Sequence, residues 1–121
     1  MRKITETAVE NFYNNTPFTS GNTKVVVEDK EYLTGSGSTT KVSTTYLVLH
    51  GHKIAYTNSY ETSIRTCGYN TNTTKERLRG VLNELDIKLY TKKGVMYLEY
   101  SCCDEKYILE NNDNWNIVTT A

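Results

Sequence analysis

One stretch of the sequence, residues 67–85 (CGYNTNTTKERLRGVLNEL), constrains the fold more than any other. It runs from a strand that ends at a glycine, through a polar turn, into the S/T-x-x-E pattern of Thr73 and Glu76, which is typical of a helix capping box. Apolar residues then recur at helical spacing on one face. They are Leu78, Val81, Leu82 and Leu85. The stretch predicts an amphipathic helix over residues 73–85 that packs across a sheet.

Alternating Val, Thr and Tyr residues predict strands on both sides of this helix, because β-branched and aromatic side chains pack well on a pleated surface. Gly51-His52 and the turn that contains Gly94 each predict a hairpin. The predicted strands cover residues 24–28, 42–50, 54–60, 61–67, 87–90, 95–100, 107–109 and 115–118.

The N-terminal segment predicts a second, short helix over residues 4–14, which ends before Pro17 because the residue preceding a proline leaves the helical region. Residues 29–41 are rich in Ser, Thr and Gly, with GSGS at 35–38, and predict a flexible hairpin tip or loop, which is an expected contact for a partner. The sequence thus predicts one α+β domain over residues 1–121. Its mostly antiparallel, twisted sheet has about six strands, with the amphipathic helix central and the N-terminal helix beside it.

Charge and cysteine content exclude several classes of protein. The 14 basic and 14 acidic residues give a formal net charge of 0, so overall charge does not attract nucleic acid. The three cysteines, two of them adjacent at Cys102 and Cys103, predict reduced thiols rather than a disulfide framework. No apolar run has the length of a signal peptide core or a bilayer span, so we expect a cytosolic protein without membrane contact.

The residues that usually carry chemistry do not combine into a recognised site. His50 and His52 lie two apart, and the cysteines lack the C-x₂-C and H-x₃-H spacings of zinc sites. Cys67 and a histidine could form a nucleophilic pair, but neither an elbow motif nor an orienting third group accompanies them. We therefore predict no enzyme activity, no metal and no cofactor.

The start of the predicted helix is the candidate binding site. Free N–H groups and the helix dipole attract anions there, although the capping box uses the same Thr73 and Glu76 groups and is the favoured interpretation. The capping box does not account for the outward basic face of the helix or for the polar turn before it. The predicted partner- or anion-binding residues are Asn70, Asn72, Thr74, Lys75, Arg77 and Arg79.

Four segments carry a resemblance to a known family: GNTKV at 21–25, GHKIA at 51–55, TNTTKERL at 71–78 and GVMYL at 94–98. With them the chain resembles a family of small bacteriophage proteins of unassigned function, over most of its length except the loop near residue 35 and the tail. The resemblance implies a phage context and the host cytoplasm as location.

The phage context and the lack of catalytic motifs favour an accessory protein that acts by binding. The expected partner is a host protein, either a defence system inhibited in the anti-CRISPR manner or a host regulator. The alternative is a protein that binds nucleic acid, through its tyrosines and lysines, or a nucleotide or other phosphate ligand. The oligomeric state stays open.

Overall fold

The computed structural model describes residues 2–120. Within them the chain forms two helices and nine strands in two antiparallel sheets, so the predicted α+β class is confirmed. The helices are α1, Lys3–Tyr13, and α2, Asn72–Asn83. The strands are β1 Phe18–Ser20, β2 Thr23–Leu33, β3 Thr39–Leu49, β4 His52–Thr57, β5 Glu61–Ile64, β6 Ile87–Lys92, β7 Val95–Tyr100, β8 Glu105–Leu109 and β9 Asn116–Thr120.

The larger sheet has six strands in the order β1-β2-β3-β4-β5-β9, as the sequence predicts. The first five pair in chain order because tight turns reverse the chain between them. Between β3 and β4, His50 and Gly51 both have positive φ, 51° and 81°, which suits a type I′ hairpin turn. The last strand, β9, returns from the end of the chain and pairs with β5, where Asn116 lies opposite Ile64.

The smaller sheet contains β6, β7 and β8 as an antiparallel meander. The sequence predicts these strands but not that they form a separate sheet. Alternation of apolar and polar residues shows which side of a strand is buried, but it does not specify which strand lies beside it.

The hydrophobic core lies between the helices and the larger sheet, and it extends to one face of the smaller sheet. Both helices present their apolar stripes to this core, and the phenol of Tyr13 joins them by donating to the carbonyl of Val81 at 2.6 Å. Burial raises the pKa of Tyr13. Neither helix within residues 2–120 has the length and apolarity to cross a membrane. The largest fully buried apolar side chains are Phe12, Leu47, Ile54, Ile64, Leu78, Leu82 and Leu109.

The start of α2 differs from the predicted capping box. The N-cap is Thr71, whose Oγ1 accepts a hydrogen bond from the backbone N–H of Thr74 at 3.2 Å. Glu76 binds instead to the N-terminal segment, where its carboxylate accepts from the N–H of Arg2 at 3.1 Å and from the hydroxyl of Thr5. The predicted capping box is wrong because Glu76 faces α1. Its carboxylate binds groups of the N-terminal segment instead of the backbone N–H of Thr73.

Residues 29–41 belong mainly to a long hairpin, where the sequence predicts a flexible hairpin tip or loop. Strands β2 and β3 pair in unbroken register from Thr23 opposite Leu49 to Leu33 opposite Thr39. Only residues 34–38 form the turn, which the Thr34 N–H closes by donating to the carbonyl of Ser38 at 2.7 Å. The hairpin-tip prediction therefore holds for residues 34–38, whereas residues 29–33 and 39–41 are strand. The predicted flexible region is too long because Tyr32, Thr39 and Thr40 are good strand formers.

Candidate interaction surfaces

Arg77 lies inside the protein, so the prediction that it forms part of an exposed basic face is wrong. Its side chain is 3% exposed. Nε donates to the hydroxyl of Thr23 at 3.2 Å, and Nη1 donates to the hydroxyl of Thr5 at 2.6 Å and to the Glu76 carboxylate at 2.7 Å. The helix turns this position toward β2 and α1, so the guanidinium joins three elements.

Glu76 completes this buried polar cluster. Burial by itself would raise the pKa of Glu76, but hydrogen bonds from Thr5, the Arg2 N–H and Arg77 outweigh it and hold the pKa below its ordinary value of 4.5. The charged carboxylate is therefore the form that the fold stabilises.

The other predicted site residues divide into structural and exposed groups. Arg79 is half-buried, and its Nε donates to the carbonyl of Leu89 at 3.0 Å, which fastens α2 to β6. Thr74 is buried within the Thr71 cap. Asn70 and Asn72 are exposed and Lys75 is partly exposed. The basic face thus shrinks to Lys75 and the polar turn, and a binding role for Asn70, Asn72 and Lys75 stays a prediction.

The structure also shows the surroundings of the residues that were candidates for metal binding or nucleophilic catalysis. Among the described residues, no group of three or more His, Cys, Asp or Glu side chains is arranged to hold a metal ion. Cys67 is half-buried, and its thiol donates to the carbonyl of Lys53 at 3.3 Å. Burial raises the pKa of the Cys67 thiol, which favours the protonated form over the reactive thiolate at neutral pH.

The distal half of the β2–β3 hairpin projects beyond the larger sheet. Strand β1 pairs with β2 only as far as Val25, and β4 pairs with β3 only as far as Thr45. Among the strands of residues 2–120, the segments 28–33 and 39–44 therefore pair only with each other. We call residues 28–44 the hairpin arm.

Polar side chains support the base of the hairpin arm, whereas its end is apolar. Asp29 accepts a hydrogen bond from Ser43 and forms an ion pair with Lys41 at 3.3 Å. Near the turn, Tyr32 is 52% exposed and Leu33 is 78% exposed. Because they are consecutive strand residues, they point to opposite faces of the arm. A projecting arm thus presents apolar groups on both of its sides.

A shallow groove of about 420 Å³ adjoins one side of the hairpin arm. Tyr32, Thr40 and Val42 of the arm form one wall, and Tyr60 in the β4–β5 turn and Glu61 lie across from them. Tyr60 is itself 59% exposed. The apolar surface therefore continues from the arm onto the end of the sheet.

The sheet face opposite the helices carries an aromatic row. Tyr46 and Tyr56 lie opposite each other in register with ring centroids 6.0 Å apart, and Trp115 meets Tyr56 edge-on at 4.7 Å. Two cations cover the row: Lys53 Nζ lies 4.1 Å from the Tyr46 ring and the Arg65 guanidinium 4.0 Å from the Trp115 ring. These cation–π contacts make the row an amphipathic surface.

Both cations of the aromatic row also have other partners in the protein. Lys53 Nζ lies 3.2 Å from a carboxylate oxygen of Glu28, and Arg65 Nε donates to the carbonyl of Lys53 at 2.8 Å. Arg65 Nη1 donates further to the carbonyl of Asp113 at 3.1 Å. The charge available to a ligand is therefore reduced, and part of the row serves to cover the sheet.

Comparison with known protein families identifies the family of this chain. A family model described as Kyanoviridae Gp96 protein matches residues 1–120. The chain belongs to this family. The family is one of phage proteins, so the resemblance to small phage proteins is confirmed. No curated protein matches the chain, and no solved structure does.

Proposed function

We propose that this phage protein is an accessory protein that acts by binding a host protein, with the hairpin arm as the main contact. The observation that carries the proposal is the exposure of Tyr32 and Leu33 near the end of a two-stranded arm. Exposed apolar side chains on a projecting element contribute nothing to the core, and on one face of the arm Tyr32 shares the groove with Val42 and Tyr60. Exposed apolar groups gathered in this way mark interaction sites. Tyrosine is also enriched at protein interfaces.

The charges of the hairpin arm favour a protein partner over nucleic acid. Residues 28–44 contain three acidic side chains, Glu28, Asp29 and Glu31, and two basic ones, Lys30 and Lys41. A surface with a small negative balance gains nothing from a phosphate backbone. Apolar residues within a rim of mixed charge are instead the usual arrangement of protein–protein contacts.

Membership of a phage family supports a host protein as the partner. A phage protein that binds a host protein without altering it covalently can act by covering a functional surface, and an arm that reaches beyond its own sheet can enter a cleft. We therefore propose a host defence or regulatory protein as the target, with Leu33 in an apolar pocket of that target.

A pull-down from infected host cells tests this proposal. The chain is compared with the double variant Tyr32→Ala/Leu33→Ala and with the matched variant Asn72→Ala/Lys75→Ala, which alters the exposed residues at the start of α2. The arm variant is expected to lose its partner while the matched variant keeps it. If the arm variant still captures the partner, the arm is not the contact. If only the matched variant loses the partner, the contact lies at the start of α2.

The aromatic row supports a second candidate function, binding of single-stranded nucleic acid. Its rings and cations are the groups on which bases stack and phosphates rest. Fluorescence anisotropy with single-stranded DNA and RNA at low salt tests it, with Tyr46→Ala and Lys53→Ala as variants. This function predicts binding that weakens as salt rises and with either substitution. An absence of binding at low salt rejects it.

A further inference from the structure

We infer that two copies of this chain associate through the outer edge of β8, antiparallel and centred on Ile108, to form one continuous sheet from their two smaller sheets. This homodimer is independent of the host-binding proposal, because β8 is not part of the hairpin arm.

The two sheets have four outer strands, and three of them are protected from further pairing. Strand β1 has only three residues. Strand β6 is covered by α2, since Arg79 donates to the carbonyl of Leu89 on it. Strand β9 is irregular, because its register with β5 shifts between Thr62 and Ser63. Short length, coverage and bulges are the devices by which proteins prevent edge pairing.

In the described part of the chain, strand β8 is neither covered by a helix nor interrupted by a bulge, and its one lysine, Lys106, lies beside Glu99. No other strand within residues 2–120 pairs with its outer edge. Tyr107 on β8 is 52% exposed and Ile108 is 60% exposed. A groove of about 530 Å³ lies beside this edge, with Ile117 of β9 on its wall. The opposite wall is formed by residues 116–118 of β9, so the outer edge of β8 borders this groove and not a paired strand.

The outer face of the smaller sheet has an ordered pattern of side chains. One row across its three strands is apolar and consists of Tyr90, Tyr97 and Ile108, with the tyrosine rings stacked at 5.5 Å. The next row alternates in charge and consists of Lys88, Glu99 and Lys106, where Lys106 lies 3.7 Å from Glu99. Both rows end at the open edge of β8.

A second copy continues both rows in one antiparallel register. With Ile108 opposite Ile108 of the second copy, Lys106 of each copy lies opposite Glu110 of the other, given that strand alternation extends one residue beyond Leu109. The apolar row then continues through both copies, and the charged row gains a further acidic member. Glu110 turns toward Lys106 from its present contact with the Asn112 amide at 3.1 Å.

Other registers that keep the same faces together lose this complementarity. Centred on Tyr107, the pairing puts Lys106 opposite Ile108, and centred on Lys106 it puts two lysines opposite each other. Centred on Leu109, it puts Ile108 opposite Glu110. Like charges directly opposite each other destabilise a sheet, whereas opposite charges and apolar pairs stabilise it. Because a twofold axis repeats each pair, the favoured register contains the charge pair twice.

Sedimentation equilibrium of the purified chain over a wide concentration range tests the dimer and its register. The chain is expected to dimerise, and Lys106→Glu or Glu110→Lys is expected to weaken dimerisation by at least about tenfold, because each creates two like-charge pairs. A mixture of the two single variants is expected to form a heterodimer, since every charged pair is then opposite. The double variant Lys106→Glu/Glu110→Lys is expected to dimerise again.

Three results would overturn the inference: a monomer at every concentration, a dimer unaffected by either single substitution, or single variants that do not rescue each other when mixed. Far-UV circular dichroism confirms that the variants are folded. Tyr32→Ala/Leu33→Ala in the same assay should leave the dimer intact, which separates failure of this interface from failure of the host-binding proposal.

Discussion

The two halves of the β2–β3 hairpin share the same pair of strands and differ in almost everything else. In the proximal half, Val25 and Leu47 are 1% and 0% exposed and belong to the core. In the distal half, the hairpin arm, every residue of 29–33 is exposed, and Leu33 reaches 78%. The register between β2 and β3 runs through both halves without interruption.

This difference shows that continuity of a sheet and burial of a core are separate properties. The proximal half is held by neighbouring strands, by the helices and by side-chain bonds such as that from Thr45 to the Asn15 amide oxygen at 2.6 Å. The hairpin arm is held by its own ladder and a few polar pairs, and an isolated hairpin is only marginally stable. We therefore expect the hairpin arm to add little to stability, and its length and exposed apolar residues support the proposed role in contact.

The largest stability effect is expected in the proximal half. Leu47→Ala removes a fully buried side chain from the core and should lower the free energy of unfolding by about 3 kcal/mol, because it leaves a cavity. Val42→Ala in the hairpin arm should cost less than about 1 kcal/mol. Urea denaturation measures both. Equal losses would show that the arm is as tightly packed as the base.

Arg77 anchors the proximal half to both helices through Thr23, Thr5 and Glu76. Arg77→Ala should destabilise the fold by about 2–3 kcal/mol, because it leaves a mostly buried carboxylate without its cation. Lys75→Ala, on the same helix but partly exposed, should change stability by less than about 0.5 kcal/mol. A neutral Arg77→Ala in urea denaturation would contradict the assigned role of this residue.

Acid should weaken the proximal half through Glu76. The pKa of Glu76 is lower in the folded state than its ordinary value of 4.5, so its contribution to stability is complete above that pH and is lost as pH falls through the folded-state pKa. Glu76→Gln should be less stable than the parent at neutral pH, and the difference should shrink as the pH falls below 4.5. A difference that is constant from neutral to acidic pH would exclude this coupling.

The smallest stability effect is expected at the end of the hairpin arm. Leu33→Ser should change the free energy of unfolding by less than about 0.5 kcal/mol, because the side chain is already in water. The same substitution should reduce capture of the host partner. If Leu33→Ser instead lowered the melting temperature strongly, this residue would have an internal packing role.

Local sequence signals predict much of the fold correctly. The helical spacing of Leu78, Val81 and Leu82 specifies the buried face of α2, and alternation specifies most strands. The sequence does not specify the helix cap, because Thr71 and Thr73 are equally good capping residues and only the contact of Glu76 with Thr5 on α1 decides between them. That contact joins distant parts of the chain and has no local signature.

The candidate surfaces were harder to predict for the same reason. Arg77 sits beside the apolar stripe of α2, and its burial depends on hydroxyls of Thr5 and Thr23 that only the fold brings near. The aromatic row follows from the β3–β4 register, which places Tyr46 opposite Tyr56. A count from the turn at His50 and Gly51 predicts Ala55 opposite Tyr46, because the register shift between Leu47 and Val48 that brings Tyr56 there has no signal in the sequence. Trp115 joins the pair from a distant segment.

Removal of the hairpin arm tests most directly the claim that the arm binds the host partner and is separate from the core. Glu28 and Thr44 are opposite in register, so an Asn-Gly turn can join them in place of residues 29–43. The shortened chain and the full chain are compared by thermal unfolding and by pull-down from infected host cells. We expect a melting temperature within about 5 °C of the parent and complete loss of the host partner. A folded, shortened chain that still captures the partner would contradict the proposal that the arm is the contact, and a chain that unfolds would contradict the separation of arm from core.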